Sequence, residues 1–119
     1  MIYAATSLEG LEGAATRAIK ALEKATTFNF RYIQAFANLA NAYLIKGMID
    51  ESIEANLRAL NLHPDFAPAH HNLAIAYLEK GEAKAAIEHC EKAVALGYEV
   101  PAEILTEVEE LKQSDDRSH

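Results

Sequence analysis

Residues 38–47 read NLANAYLIKG, and residues 72–81, thirty-four positions later, read NLAIAYLEKG. Eight of the ten residues agree. Extending the overlay without a gap, residues 33–66 on 67–100, gives 13 identical pairs in 34, among them Leu39/Leu73, Ala40/Ala74, Tyr43/Tyr77, Gly47/Gly81, Ile53/Ile87, Ala59/Ala93 and Leu62/Leu96. Most of these positions lie three, four or seven apart, which is the spacing of one face of an α-helix. A period of this length in a chain of 119 residues points to stacked helical repeats.

Each copy divides into two helices. In the first, Phe36, Leu39, Ala40 and Tyr43 form an apolar stripe over roughly 33–46, and Gly47 ends it, glycine being the residue that most readily turns left-handed past a helix end. Asp50 and Glu51 open the next helix, where carboxylates favour the positive end of the dipole. That helix runs over roughly 49–61 with Ile53, Leu57 and Leu60 on its apolar side, and Pro64 follows it. The second copy predicts helices near 67–80 and 83–96, divided by Gly81.

These residues resemble the tetratricopeptide repeat, a 34-residue helix–turn–helix unit. Its pattern of an aromatic, Leu-Gly/Ala, Tyr, Gly, Ala and Pro is matched by Phe36, Leu39, Ala40, Tyr43, Gly47, Ala59 and Pro64. The second copy matches it at Leu73, Ala74, Tyr77, Gly81, Ala86 and Ala93. The resemblance implies an all-α fold, a right-handed superhelix of antiparallel helix pairs closed by a C-terminal capping helix. One period upstream, Gly13, Ala18, Ile19, Leu22 and Ala25 fall in register, so residues 1–32 are expected to form a degenerate first repeat whose leading helix lies within 2–11. Residues 33–66 and 67–100 are the two full repeats, 101–113 the capping helix and 114–119 a disordered polar tail. About seven helices are expected in all.

Helix pairs of this kind cannot bury their own apolar faces, so each must stack on the next. Small Ala40, Ala59, Ala74 and Ala93 allow close approach, with Tyr43 and Tyr77 filling the space between. Several positions depart from the family pattern: Ser52 replaces an alanine, Asn56 and Cys90 stand where an aromatic is common, and His70 replaces the first aromatic of its repeat. A buried amide is costly unless its hydrogen bonds are met, so Asn56 is expected to be part-exposed or bonded to a neighbouring helix.

Composition narrows the function. The net charge of −7 disfavours a nucleic-acid partner, and the short basic stripe of Arg17, Lys20 and Lys24 reads as a solvated face. No apolar run approaches the ~20 residues that span a bilayer, and the start lacks a signal-peptide pattern. One cysteine, Cys90, permits no internal disulfide, which fits a reducing, cytoplasmic setting. The adjacent pairs His70-His71 and His89-Cys90 do not have zinc-ligand spacing. "HCE" at 89–91 lacks the companion P-C-x-x-C of a deaminase, and "GLEG" at 10–13 is not followed by Gly-Lys-Ser/Thr. No metal, cofactor or catalytic set is expected, and the chain reads as a non-enzyme.

The resemblance supplies the candidate site. In this family the first helix of each repeat lines a concave groove that receives a peptide or a partner's tail. The corresponding positions here are Gln34, Ala37, Asn41, Leu44 and Ile45 in the first copy and Pro68, His71, Ile75, Leu78 and Glu79 in the second, with Tyr3 and Ser7 at one end and Leu105 and Glu109 at the other. Leu44, Ile45, Ile75 and Leu78 lie opposite the core stripe, and a contiguous apolar patch marks an interaction site. One branch of the family grips a C-terminal carboxylate with cations and asparagines. Asn41 and Asn72 occupy two of its places, but Ala37, Ala102 and Thr106 stand where the cations belong. The function implied is a non-catalytic scaffold that binds a protein or peptide in a mainly apolar groove. The alternative is a self-association module, a homo-oligomer or a piece of a longer array.

Overall fold

The computed structural model describes residues 13–24 and 33–118, with side chains through residue 114. Six helices are present among them and no strand: α1 (13–24), α2 (Ile33–Ile45), α3 (Ile49–Leu62), α4 (Ala67–Lys80), α5 (Ala83–Ala95) and α6 (Ala102–Ser118). The expected helix within 2–11, and with it Tyr3, Ser7 and Ala25, lies outside the described residues. The closest packing is within the pairs α2/α3 and α4/α5; α3 then packs on α4 and α5 on α6, while α2 also touches α4. This is the all-α helical repeat that the sequence implies.

The alanines explain the closeness of the pairs. Ala40, Ala59, Ala74 and Ala93 are all 0 % exposed, so backbones meet where larger side chains would hold them apart. Four apolar clusters run along the stack. Ile19 of α1 joins Leu39, Ala42 and Tyr43 of α2 and Ala55 of α3; Phe36 joins Ala59 and Ala69. Ile53 meets Leu73 and Ala76, and Ala74 meets Cys90 and Val108. Leu73 is wholly buried, worth about 1.5–3 kcal/mol relative to exposure.

Turn chemistry fixes where α2, α4 and α5 stop. Gly47 (φ 79°), Gly81 (φ 82°) and Gly97 (φ 87°) take the left-handed conformation, and the next residue's N–H reaches back five positions: Met48 to Tyr43 O, Glu82 to Tyr77 O, Tyr98 to Ala93 O. These are Schellman ends, which satisfy carbonyls the helix leaves open. Asp50 and Glu51 stand in the first turn of α3, as expected, and Pro68 in that of α4.

Three expectations change. Pro101 precedes α6 instead of opening it, and its carbonyl accepts the N–H of Ile104 and of Leu105. α6 also continues to Ser118, past residue 113, so the expected disordered tail is helical through that residue; no Gly or Pro between 102 and 118 stops it. Asn56 is neither part-exposed nor bonded to another helix. It is 0 % exposed, its Nδ2 donates to Ser52 O of its own helix at 3.1 Å, and its Oδ1 has no partner. The inter-helix bond comes instead from Ser52, whose Oγ donates to Ala40 O of α2 at 2.7 Å.

The register also sets α6 apart from α2 and α4. Ala35, Leu39 and Ala42 of α2, and Ala69, Leu73 and Ala76 of α4, are buried at 5 % exposure or less. The corresponding residues of α6 are Glu103, Glu107 and Glu110, all exposed, while Val108, 4 % exposed, anchors the helix to α5. Carboxylates thus stand on α6 where α2 and α4 carry buried Ala and Leu, and this face of α6 is open to water.

Candidate functional site

The surface proposed from the sequence belongs to α2 and α4, the first helices of the two full repeats. On α2, Gln34, Asn41 and Ile45 are exposed, Leu44 is half-buried and Ala37 is only 4 % exposed, so Ala37 offers almost no side-chain surface. Leu44 leans into the cluster of Ile53, Leu73 and Ala76. On α4, Pro68, His71, Ile75 and Leu78 are half-buried and Glu79 is exposed; Leu78 packs towards Ala74, Cys90 and Val108. The apolar character of the face therefore rests on Ile45, 45 % exposed, and on the accessible part of Ile75, because Leu44 and Leu78 are largely spent on inter-helix packing.

Two neighbours outside the set proposed from the sequence modify this face. Gln34 Nε2 donates to Asn38 Oδ1 at 3.1 Å, one helical turn away, which couples the two amides. Tyr98, in the α5–α6 connection, lays its ring 4.8 Å from that of His71. Both His71 nitrogens are buried without a hydrogen-bond partner. Burial lowers the His71 pKa below its ordinary 6.5, with the adjacent Asn72 side chain acting the other way. Tyr98 occupies the register position of Pro64, so repeat comparison marks it as a departure from the closing proline of the pattern but not as a neighbour of His71.

Leu105 and Glu109, expected at one end of the groove, line a crevice of about 720 Å³ between α5 and α6. Cys90 and Val108 lie along it with Val94, and Lys112 Nζ bonds Glu91 Oε2 there at 2.8 Å. Val94 and Leu105, 49 % and 42 % exposed, leave apolar surface open to water at this end. The Cys90 thiol is 1 % exposed, and burial, then the Glu91 charge, pushes its pKa up. A thiol held protonated and covered is not a nucleophile.

A smaller hollow of about 300 Å³ lies among α1, α2 and α3, lined by Glu23, Phe36, Tyr43, Glu51, Glu54 and Arg58. Tyr43 Oη donates to Glu23 Oε2 at 2.6 Å. Burial raises the phenol to about 12, helped by that bond and by the charges of Glu23, Glu51 and Glu54. Among the described residues no group of three His, Cys, Asp or Glu is placed to hold a metal ion, and no helix is long and apolar enough to cross a membrane.

Two repeat models match the chain, "TPR repeat" over residues 40–81 and "Tetratricopeptide repeat" over 67–96. The chain belongs to the tetratricopeptide-repeat (TPR) family. TPR domains are protein–protein interaction scaffolds. Among solved structures, the TPR chain here is similar to that of MamA, at 30% identity over 71% of this chain and 49% of that one, with a TM-score of 0.67. It spans about half the length of the MamA structures it matches. The thermophilic TPR protein TTC0263 of Thermus thermophilus matches over 88% of this chain and 59% of its own, at 24% identity and a TM-score of 0.70. The Yersinia enterocolitica type III secretion chaperone SycD, in complex with a peptide of the translocator YopD, matches over 92% and 95% at 17% identity and a TM-score of 0.74. These last two likenesses concern the fold alone. No curated protein sequence matches the chain.

Proposed function

We propose that the chain is a non-catalytic scaffold that binds a peptide or partner segment against the outer face of α2 and α4, the groove face of the fold. The carrying observation is the exposed combination of Asn41 and Ile45 beside half-exposed Ile75, residues that the core does not use. An exposed amide is suited to a peptide backbone, and an apolar pair beside it to an apolar side chain. The SycD structure, which holds a translocator peptide on the same fold, supports peptide binding as the mode. A reducing, cytoplasmic setting suits a lone, covered Cys90. Acidic C-terminal tails are not the ligand: Ala37, Ala102 and Thr106 provide no cation, and a carboxylate desolvated without one goes unpaired.

The test is selection from a random peptide library followed by calorimetry on the selected peptides. Wild type should select sequences with an apolar anchor, and Ile75→Glu and Asn41→Ala should each weaken them at least about tenfold, the ~1.4 kcal/mol expected of a lost anchor, with melting unchanged. Peptides that bind both variants as tightly as wild type would place the site elsewhere. The crevice flanked by Val94 and Leu105 favours a second reading, self-association through the α5–α6 end. Sedimentation across a concentration range decides it, because a strictly monomeric species excludes it.

A further inference from the structure

The sequence separates His70 from His89 by 19 positions, and the structure joins them. His70, 7 % exposed, lies on α4; its Nδ1 is 3.0 Å from Nδ1 of His89 on α5, and its Nε2 is 2.8 Å from Pro64 O in the α3–α4 turn. A carbonyl only accepts, so His70 Nε2 carries a proton. In a neutral ring Nδ1 is then the acceptor, and His89 Nδ1–H is the donor. The ring centroids are 5.3 Å apart with planes 28° from parallel. The difference between that distance and the 3.0 Å nitrogen gap is taken up by the two ring radii, so the nitrogens lie on the line between the rings. This is an end-to-end N–H···N bond. A metal on that line would need nitrogens about 4 Å apart, since a metal–imidazole bond is about 2.0–2.1 Å.

The arrangement limits the charge the pair accepts. His89 can carry a second proton on its Nε2 and still donate from Nδ1. A second proton on His70 has only Nδ1 to occupy, where it faces the His89 N–H. The other charged or titratable groups around the pair do not relieve this. Tyr77 of α4 lies flat against His89, centroids 5.7 Å apart; Glu88 adjoins it on α5. Lys92, one turn on, faces Asp65 of the α3–α4 turn at 3.6 Å, and His63 in that turn contacts Phe66. Among the described residues no carboxylate hydrogen-bonds either imidazole. The first repeat has no such pair: the equivalent residues are Phe36 and Ala55.

We propose that His70 and His89 form a one-proton latch that ties α4 to α5 and to the α3–α4 turn, and that uptake of a second proton opens it. The device is a pH-sensitive joint beside the groove face, one residue from His71, and it does not depend on which partner the groove takes. Burial, together with the His70 charge, holds the His89 pKa below its ordinary value, partly offset by Glu88, in keeping with a pair that resists full protonation.

The test follows the ring nitrogens of the intact protein by NMR between about pH 8 and 5, the range in which imidazole ordinarily titrates. The pair should titrate in two separate steps, the second below the ordinary imidazole range, and the amides of His63, Asp65, Phe66 and α5 should shift with that second step. The double variant His70→Phe/His89→Ala installs the first repeat's own pair and should fold. Relative to it, wild type should lose up to about tenfold in folded-to-unfolded ratio per pH unit below ~6.5. If the double variant does not fold, His89→Ala, which keeps the His70–Pro64 bond, gives the same comparison. A single titration step near 6.5 with unmoved amides would overturn the latch, as would equal pH slopes in wild type and variant.

Discussion

Replacing Asn56 with cysteine should stabilise the protein, although it removes a hydrogen bond. Asn56 is fully buried; its Nδ2 donates to Ser52 O and its Oδ1 is unpartnered. A buried acceptor without a partner costs about 1–3 kcal/mol, and a made hydrogen bond contributes a net ~1 kcal/mol. The Ser52 carbonyl, mid-helix, keeps its backbone donor when the amide is removed. The difference favours Asn56→Cys by about 1 kcal/mol. Cysteine is the chosen substitute because the second repeat already uses it: Cys90 occupies the equivalent position at 1 % exposure. Asn56→Ala would instead leave a void and lose part of the gain. Urea unfolding followed by circular dichroism measures the effect. With a slope of about 2 kcal/mol/M the midpoint should rise by about 0.5 M at unchanged slope. A midpoint lowered by that amount or more would refute the reasoning, since it would mean that Oδ1 is satisfied in solution, by water or by a partner.

Three further outcomes follow from named contacts. Gly81→Ala should cost about 1–2 kcal/mol by urea unfolding; φ is 82°, and an added Cβ would meet nothing within 4 Å, so the loss is backbone strain alone. Ala74→Leu should cost about 1–3 kcal/mol, because Ala74 is 0 % exposed beneath Cys90 and Val108; an unchanged thermal midpoint would refute the packing described. Stability should fall as pH rises from 10 to 12, because the folded Tyr43 phenol, raised to about 12, keeps its proton while an unfolded phenol near 10 releases its own. Tyr43→Phe should remove that component, and tyrosinate absorbance should show the late-ionising group disappear with it.

The fold was legible because it is written twice. Gly47 and Gly81, and the buried alanines at 40, 59, 74 and 93, recur at one spacing, and stacking needs small residues and left-handed turns at those very places. The end of α6 was not legible. A run of polar residues such as Gln113–Ser118 is compatible with either helix or coil, and periodicity has nothing to act on in a run without apolar residues. The candidate face was legible as a set of positions but not as a surface. Ala37 is covered, and Leu44 and Leu78 turn partly inward, because helix angle fixes the direction in which a residue points, not how near the neighbouring helix comes.

The differences between the repeats fall into two classes with different physical meaning. At Asn41/Ile75 and Ile45/Glu79 the residues differ on the outer face, where neither alternative is required by packing. At Phe36/His70, Ala55/His89, Asn56/Cys90 and Ser52/Ala86 they differ inside. The interior differences are themselves paired. Ser52 bonds Ala40 O and has Asn56 one turn on, both polar, whereas Ala86 and Cys90 in the same two places are both apolar. His70 and His89 bond each other, whereas Phe36 and Ala55 in the same two places are both apolar. The histidine pair cannot be exchanged one residue at a time without leaving a buried polar group unmatched. The outer positions carry no such linkage. A single substitution at 75 or 41 is therefore expected to change binding without changing stability, and a single substitution at 70 or 89 to change stability before it changes binding.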